Sequence, residues 1–344
     1  MPMAVHALTP SRVAAWDAFV TAHPAGSFFH LAAWAGVLET AFGHPAHYFF
    51  TERDGAITGV LPLTHLKSFF GNNLVSTPFC VYGGPLAADP DSAAALCAHA
   101  IGLMGTLGAK VLEFRERGPV AADPDWRTRS DLYVTFRKPM TADHDANMKA
   151  IPRKQRAMVR KGIQNGLTAT TERRIDPLYG IYAESVRNLG TPVYARRYFE
   201  VLLDAFGPAV DVVTIRHDDS PVASVLNFYF RDEVLPYYGG GTARARQLAA
   251  NDFMYWSVMR AAADRGCRLF DFGRSKVGTG SYDFKRNWGF VAEPMQYRFH
   301  LAPGGKIPDL NPLNPKFRLF IAGWRRLPLA VANRLGPHIV RGIG

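Results

Sequence analysis

The stretch FDFGRSKVGTGSYDFKRNWGF, Phe270 to Phe290, places four basic side chains, four glycines and six aromatics in one short span. Glycines let backbone N–H groups approach an anion closely, and Lys and Arg supply charge. The span therefore reads as an anion-binding loop with Arg274 and Lys276 as its cations, or else as a solvated turn or an edge loop over a core. It is not a nucleotide P-loop, because Lys276 precedes the Gly278-Thr279-Gly280 run and no Gly-Lys-Ser/Thr closes it. There is no dinucleotide fingerprint.

A second concentration of charge lies in AIPRKQRAMVRKGIQNGL. Pro152 suits the first position of a helix and Asn165-Gly166 its end, and Val159, Ile163 and Leu167 recur as a stripe for burial. Arg153, Arg156 and Arg160 then share an exposed face. The five cations between Arg153 and Lys161 and the six of the tail, Lys316, Arg318, Arg325, Arg326, Arg334 and Arg341, together equal the net charge of +11. Basicity confined to two patches points to a phosphate-bearing ligand, RNA or an anionic surface; solvated basic faces are the alternative. In the tail, Phe317, Phe320, Ile321 and Trp324 follow helical spacing opposite Arg318, Arg325 and Arg326, the look of an interfacial helix. Pro315 and Pro328 bound it tightly, so the expectation is a helix folding back onto the first domain.

With 344 residues, 48% apolar and 20% charged, the chain is long enough for two ordinary domains with sizeable cores, and disorder is excluded. Neither a signal-like start nor a run of about 18 apolar residues occurs, so the expected location is cytoplasmic, with the inner face of the membrane as the place of any peripheral contact. Cys80, Cys97 and Cys267 are far apart, without C-x-x-C spacing or a nearby His cluster, and read as small buried apolar residues. No metal is expected.

The elements that must position these residues come twice. AFG at Ala41–Gly43, YGG at Tyr82–Gly84 and GAKVLEF at Gly108–Phe114 return in the same order as AFG at Ala205–Gly207, YGG at Tyr238–Gly240 and GCRLFDF at Gly266–Phe272, displaced by about 160 residues. Helical spacing around 32–42 leads to alternating strands at 47–51 and 57–65, a polar Gly/Pro loop, a helix at 92–107 and a strand at 110–114. The second half repeats this with a helix at 198–205, strands at 211–216, 221–230 and 234–240, a helix at 251–265 and a strand at 268–272. Such halves predict an α/β (α+β) chain whose units are mixed, mostly antiparallel sheets flanked by helices.

These tandem halves, the basic helix RKQRAMVRKGIQNGL, the strand pair ending in YYGGG, the segment ARQLAANDFMYWSVMRAAADRG and the closing FDF…FKRNW pattern resemble the Fem (FemAB) family of aminoacyl transferases, over roughly residues 28–301. The closing pattern is also similar to CelD-type acetyltransferase domains, and the tail RRLPLAVANRLGP is similar to the FemAB-like proteins of PEP-CTERM and exopolysaccharide systems. The resemblance implies two tandem GNAT-like domains, at 1–145 and 146–302, followed by a basic C-terminal tail at 303–344. It implies attack of a sugar- or peptide-linked amine on an activated acyl or aminoacyl ester. No cofactor would be held permanently; acyl-CoA or aminoacyl-tRNA would be the co-substrate, and no DNA partner is implied.

Carried over residue by residue, the Phe284-Lys285 pair matches the family's pair at the substrate, where the lysine contacts phosphate or the reacting carbonyl. Tyr238 and Tyr198 match positions that contact a nucleotide-sugar acceptor, with an aromatic core as the alternative, and Arg196 and Arg197 beside them suit a diphosphate. Gln247–Asp252 falls where GNAT domains cradle a pantetheine diphosphate on helix N-terminal amides, and Asn251 is the expected cap of that helix. Trp34 in LAAWAGVLE matches the family, but the lysine that follows it there is absent, and Arg115 stands where some members carry an acid. These two departures count against the sugar-peptide substrate of the cell-wall Fem enzymes. Glu113 and Glu116 are the nearby carboxylates, and the general base is left unassigned. Two other readings fit the same residues: a non-catalytic RNA- or polysaccharide-binding protein, and a membrane-peripheral assembly protein.

Overall fold

The computed structural model describes residues 3–118, 120, 123–307 and 318–343. Contacts divide the chain into two units, Met1–Leu132 with Pro294–Leu310 and Arg341–Gly344, and Tyr133–Glu293 with Asn311–Val340.

The first unit begins with β1 (Val5–Ala7), α1 (Val13–Ala22) and α2 (Trp34–Phe42), followed by β2 (Ala46–Arg53), β3 (Ala56–Ser68), β4 (Gly71–Ser76) and the short β5 (Leu86–Ala87). Helix α3 (Pro90–Thr106) crosses over to β6 (Val111–Arg117), and β7 (Arg127–Arg129) follows. Pro90 at its first turn and Asp89, whose side chain accepts the Ser92 N–H at 2.8 Å, start α3 where its sequence predicts. Strands β1 to β4 pair antiparallel in sequence order, and β4 and β6 pair in parallel. Leu61, Leu63, Leu74, Leu112 and Phe114 from these strands meet Leu96, Ala100 and Met104 of α3 in one core.

The second unit opens with β8 (Tyr133–Pro139), α4 (His144–Ala150), the basic helix α5 (Arg153–Gln164), β9 (Thr168–Glu172), α6 (Asp176–Leu189) and α7 (Arg196–Phe206). A meander follows, β10 (Val210–His217), β11 (Ser220–Phe230) and β12 (Glu233–Gly241). Then come α8 (Ala243–Leu248), α9 (Ala250–Asp264), β13 (Leu269–Asp271), β14 (Ser275–Lys276) and α10 (Gly280–Asn287). The sheet runs β9-β10-β11-β12 antiparallel, with β13 parallel to β12 and β8 antiparallel to β13. The chain continues into β15 (Ala292–Leu301), antiparallel to β6, and ends with α11 (Arg318–Trp324) and α12 (Leu329–Val340).

Each unit therefore has an antiparallel meander, a helical crossover, a strand parallel to the last of the meander, and one more strand antiparallel to that. This is the tandem, mostly antiparallel α/β fold expected from the repeat. Several details differ from the sequence reading. The residues before the Ala-rich helix, read as loop, include β4. The basic helix buries Gln155, Val159 and Gly162, while Ile163 is 50% exposed; Gly162 lets Phe253 of α9 press against the helix where a Cβ would meet it at 2.7 Å. Cys80 and Cys267 are buried, and Cys97 only half-buried.

The tail divides between the units: α11 and α12 belong to the second, while its last residues, Arg341–Gly344, belong to the first, where the Arg341 carbonyl lies 2.7 Å from His44 Nε2 and the Gly342 carbonyl accepts from Ser68 Oγ at 3.0 Å. Helix α12 packs on α6, a Cβ on Gly190 would touch the Ile321 side chain at 2.4 Å, and Arg187 donates to the Arg325 carbonyl at 3.2 Å. Of the tail's apolar residues, Ile321 meets the end of α6 and Trp324 is buried, while Phe320 is 43% exposed. Phe317, Pro315 and Lys316 lie outside the described residues.

Candidate active site

The parallel pair β12–β13 sets up the site. Only Glu233↔Leu269 and Val234↔Phe270 are paired; from Leu235 onward, among the described residues, β12 keeps its ladder with β11 alone. Beyond β13 the chain follows β8 instead, Phe272 N–H donating to the Phe136 carbonyl at 2.8 Å. The two strands part after Val234 and Phe270, so Tyr238–Gly240 of the repeated YGG lies beyond the paired stretch.

The turn after β13 is built on a buried acid. Asp271 accepts the Gly273 N–H at 2.6 Å and pairs with Arg137, whose guanidinium also binds Glu233. Gly273 has φ +64°, a conformation that disfavours a side chain. Lys285, reaching from α10, donates to the carbonyls of Gly273 and Arg274, both at 3.0 Å, and its Nζ lies 5.7 Å from the Phe136 ring centroid and 6.0 Å from that of Phe272. Burial brings its pKa down to about 7; Asp271 opposes the shift and Arg274 adds to it. The span read as a continuous loop is thus partly helix. Thr279 caps α10 through the Tyr282 N–H, and Phe284 lies between Tyr255 and Trp288. Arg274 and Lys276 both stand over the Tyr133 ring, at 4.8 and 5.3 Å.

A second buried network ties this corner to the basic helix. Asp252 accepts from Trp288 Nε1 at 3.0 Å and from Gln155 Nε2 at 2.9 Å, while Asn165 donates to the Leu248 carbonyl. Burial raises the Asp252 pKa, the two hydrogen bonds opposing it. Helix α5 therefore sits beside the Gln247–Asp252 segment. Arg153 and Arg160 are exposed and Arg156 half-buried. Asn251 is not the cap of α9: Ala249, with φ +56°, occupies that place without a side-chain bond, and the Asn251 Oδ1 is buried without a hydrogen-bond partner. The glycines of YYGGG serve close packing, because a Cβ at Gly240 would meet Ser185 at 2.4 Å and one at Gly241 would meet Ala245 at 2.6 Å and Asn251 at 2.8 Å.

The remaining candidates fall elsewhere. Tyr198 and Tyr238 are buried, at 0% and 6% exposure, with their hydroxyls 2.9 Å apart in a cluster with Tyr182, Tyr194 and Phe199. Burial, reinforced by the neighbouring tyrosines, raises the Tyr238 pKa well above its ordinary value. Arg196 is exposed and bound to Asp176 and Glu200, and Arg197 lies 3.9 Å from Glu200. Trp34, in the first unit, is fully buried and donates to the Phe28 carbonyl. Glu113 accepts from Arg115 and Glu116 from Arg298, so both carboxylates are engaged by guanidinium groups. The structure thus gathers Lys285, Phe284, Arg274 and Lys276 around one turn and connects α5 and Asn251 to that corner. Arg137, Gln155 and Asp252 were missed; the signal was an acid set among aromatics in FDF and ANDFMYW, since a buried acid needs partners.

Residues 147–286 match the family described as "Acetyltransferase (GNAT) domain", a match that ends one residue past Lys285. The whole chain is similar in fold to the crystal structure of FemX, with 16% identity, 93% of this chain and 100% of that chain covered, and a TM-score of 0.67. It is also similar to L-PGS from Bacillus licheniformis (13% identity, 96% and 97% covered, TM-score 0.55) and to a tandem GNAT protein from the clavulanic acid biosynthesis pathway (14% identity, 86% and 97% covered, TM-score 0.54). At these identities the likeness is one of fold. No curated protein matches the chain.

Proposed function

We propose that this chain is an N-acyltransferase that moves an acyl or aminoacyl group from an activated donor, acyl-CoA or aminoacyl-tRNA, to an amine acceptor. The observation that carries the reading is Lys285 held at the mouth of the diverging β12–β13 pair, inside the segment that matches an acetyltransferase domain. Attack of an amine on an ester needs both partners held in line and the developing oxyanion stabilised. Two N–H groups of Lys285 are directed at the Gly273 and Arg274 carbonyls. In the ammonium form the third is the one offered to the oxyanion or to a donor phosphate, and the ring walls of Phe136 and Phe272 strengthen that contact by excluding water. Arg153, Arg156 and Arg160 with Arg274 and Lys276 are the donor-phosphate contacts, and Asn251 Oδ1 is an acceptor for the donor at the start of α9. Tyr198 and Tyr238 serve as packed wall in this reading.

The FemX-like and L-PGS-like folds support a cell-envelope setting, and the PEP-CTERM and CelD resemblance extends it to exopolysaccharide synthesis on the inner face of the membrane. Among the described residues no helix is long and apolar enough to cross a membrane. The deciding experiment offers the purified chain labelled acyl-CoAs and charged tRNAs with a panel of amines. CoA release or RNase-sensitive transfer names the donor; consumption of neither, with every amine tried, defeats the reading.

A further inference from the structure

The first unit holds a cavity of about 320 Å³ that the acyltransfer reading does not use. His30, Tyr82, Glu116 and Arg117 line it together with Pro85 and Leu86. His30 is 2% exposed. Its backbone carbonyl accepts from Trp16 Nε1 at 2.7 Å and its Nδ1 lies 2.7 Å from Ser27 Oγ, which fixes the ring, yet its Nε2 is buried with no hydrogen-bond partner. Burial, and then the charge of Arg117, push the His30 pKa down to about 3, so the ring is neutral. In the tautomer in which Ser27 Oγ donates to Nδ1, the neutral ring carries its proton on Nε2.

Arg117 presents the matching group. Its Nη2 donates to the carbonyls of Ala25 and Gly26 at 3.2 and 3.1 Å and its guanidinium lies 4.8 Å from the Tyr82 ring centroid, but Nη1 is buried and unpartnered. Two buried donors without acceptors are costly unless a ligand supplies oxygen. Glu116 adds no net negative charge to be met, since Arg298 binds both of its oxygens. What is left is one uncompensated positive charge and two donors in a chamber with apolar walls. A doubly charged phosphate would bring two negative charges to the single cation that Arg117 supplies.

We propose that this cavity binds the carboxylate of a small monocarboxylic acid, with Arg117 Nη1 and His30 Nε2 as donors and Pro85 and Leu86 against its apolar chain. The proposal rests on the first unit alone and stands or falls independently of Lys285. The test titrates the full chain with butyrate, following the His30 ring resonances by NMR and the heat by calorimetry, with inorganic phosphate as comparator. Saturable binding of butyrate that shifts the His30 signals, and weaker binding of phosphate, is the expected result. Arg117→Gln lowers butyrate affinity roughly 10- to 100-fold, the loss of one charge-assisted hydrogen bond. Because Arg117 also holds Ala25 and Gly26, a second variant, Ala25→Leu, narrows the cavity from an exposed position that carries no buried contact, and it abolishes binding with the melting curve unchanged. No saturable response of the parent to butyrate, an equal response to phosphate, or full binding by Ala25→Leu overturns the proposal.

Discussion

The two units have the same main strand order and differ at the parallel pair after the crossover helix. In the first unit β4 and β6 pair over Asn73↔Val111 to Ser76↔Phe114, and the chain after β4 is stitched to both strands: Gly83 N–H donates to the Arg115 carbonyl, Gly84 N–H to Ser76 Oγ, and Arg115 to the carbonyls of Thr77 and Cys80. In the second unit β12 and β13 part after two residue pairs, and the strand runs on through Tyr237–Gly241 with that edge unladdered among the described residues. The first unit fills the edge beyond its parallel pair with its own loop, and the second unit parts its strands two residue pairs along. Under the proposed function, the first pair is structural support and the second is where the chemistry takes place.

The sharpest way to break that assignment is Lys285→Met. It keeps the bulk of the stem and removes the charge, and turnover is expected to fall roughly 100- to 1000-fold. Since the Lys285 ammonium is lost as pH rises through about 7, the parent's turnover per bound donor should decline above that pH, and Lys285→Arg, charged throughout, should recover part of the rate and lose the decline. Stability moves the other way. The folded pKa lies below the unfolded one, so between pH 7 and about 10.5 the unfolded chain binds more protons and folding is favoured as pH rises. Melting temperatures of the parent should therefore gain on those of Lys285→Met from pH 7 to 10. A Met variant with parental turnover would move the chemistry away from this unit.

Gly83→Ala probes the other side of the comparison. A Cβ there would stand 2.0 Å from the Ser76 carbonyl oxygen, a backbone atom that cannot turn aside. The expected cost is about 3 kcal/mol of stability, read by denaturant melts, with the activity of the folded fraction unchanged. Lost activity at full stability would mean that the first unit's loop itself meets substrate. At the basic helix the effect is smaller again: Arg153, Arg156 and Arg160 all replaced by Gln should weaken donor binding and flatten its salt dependence, since fewer counterions are released. An unchanged salt slope would assign these arginines to solubility.

The elements of this fold were legible where periodicity is strong. The helices at 34–42, 90–106 and 250–264 and the strands β2, β3, β10, β11 and β12 fall where the sequence places them, while it does not mark β1, β4 and β9 of the meanders. The repeated YGG was legible as a repeat but not in its role, because Tyr82-Gly83-Gly84 is a loop that closes β6 while Tyr238-Gly239-Gly240 is the end of β12. Nothing local distinguishes them; what decides is which strand each must reach. The same holds for the buried groups. Lys285 could be singled out by its aromatic neighbours, but its two carbonyl partners arise from a turn made by Asp271 and Gly273, and Asp252 acquires Gln155 and Trp288 only when three helices meet. The tail's apolar stripe was visible, but which surface it covers depends on the exposed end of α6.

The finest test concerns the tyrosine pair. If Tyr198 and Tyr238 are packed wall, their hydroxyls serve the fold through their contact at 2.9 Å, in surroundings that raise the Tyr238 pKa. Removing one, by Tyr198→Phe or Tyr238→Phe, leaves a buried hydroxyl short of a partner and should cost about 1 kcal/mol of stability, while replacing both with Phe keeps the shape and restores part of the loss. A double-mutant cycle by denaturant melts reads this as a favourable coupling, and turnover with the identified donor should change less than about threefold, under the 1 kcal/mol that separates a wall from a substrate contact. A Tyr238→Phe variant that melts like the parent but loses turnover tenfold or more would instead put the hydroxyl on the substrate, and the second unit's reactive edge would then extend along β12 as well as the Lys285 turn.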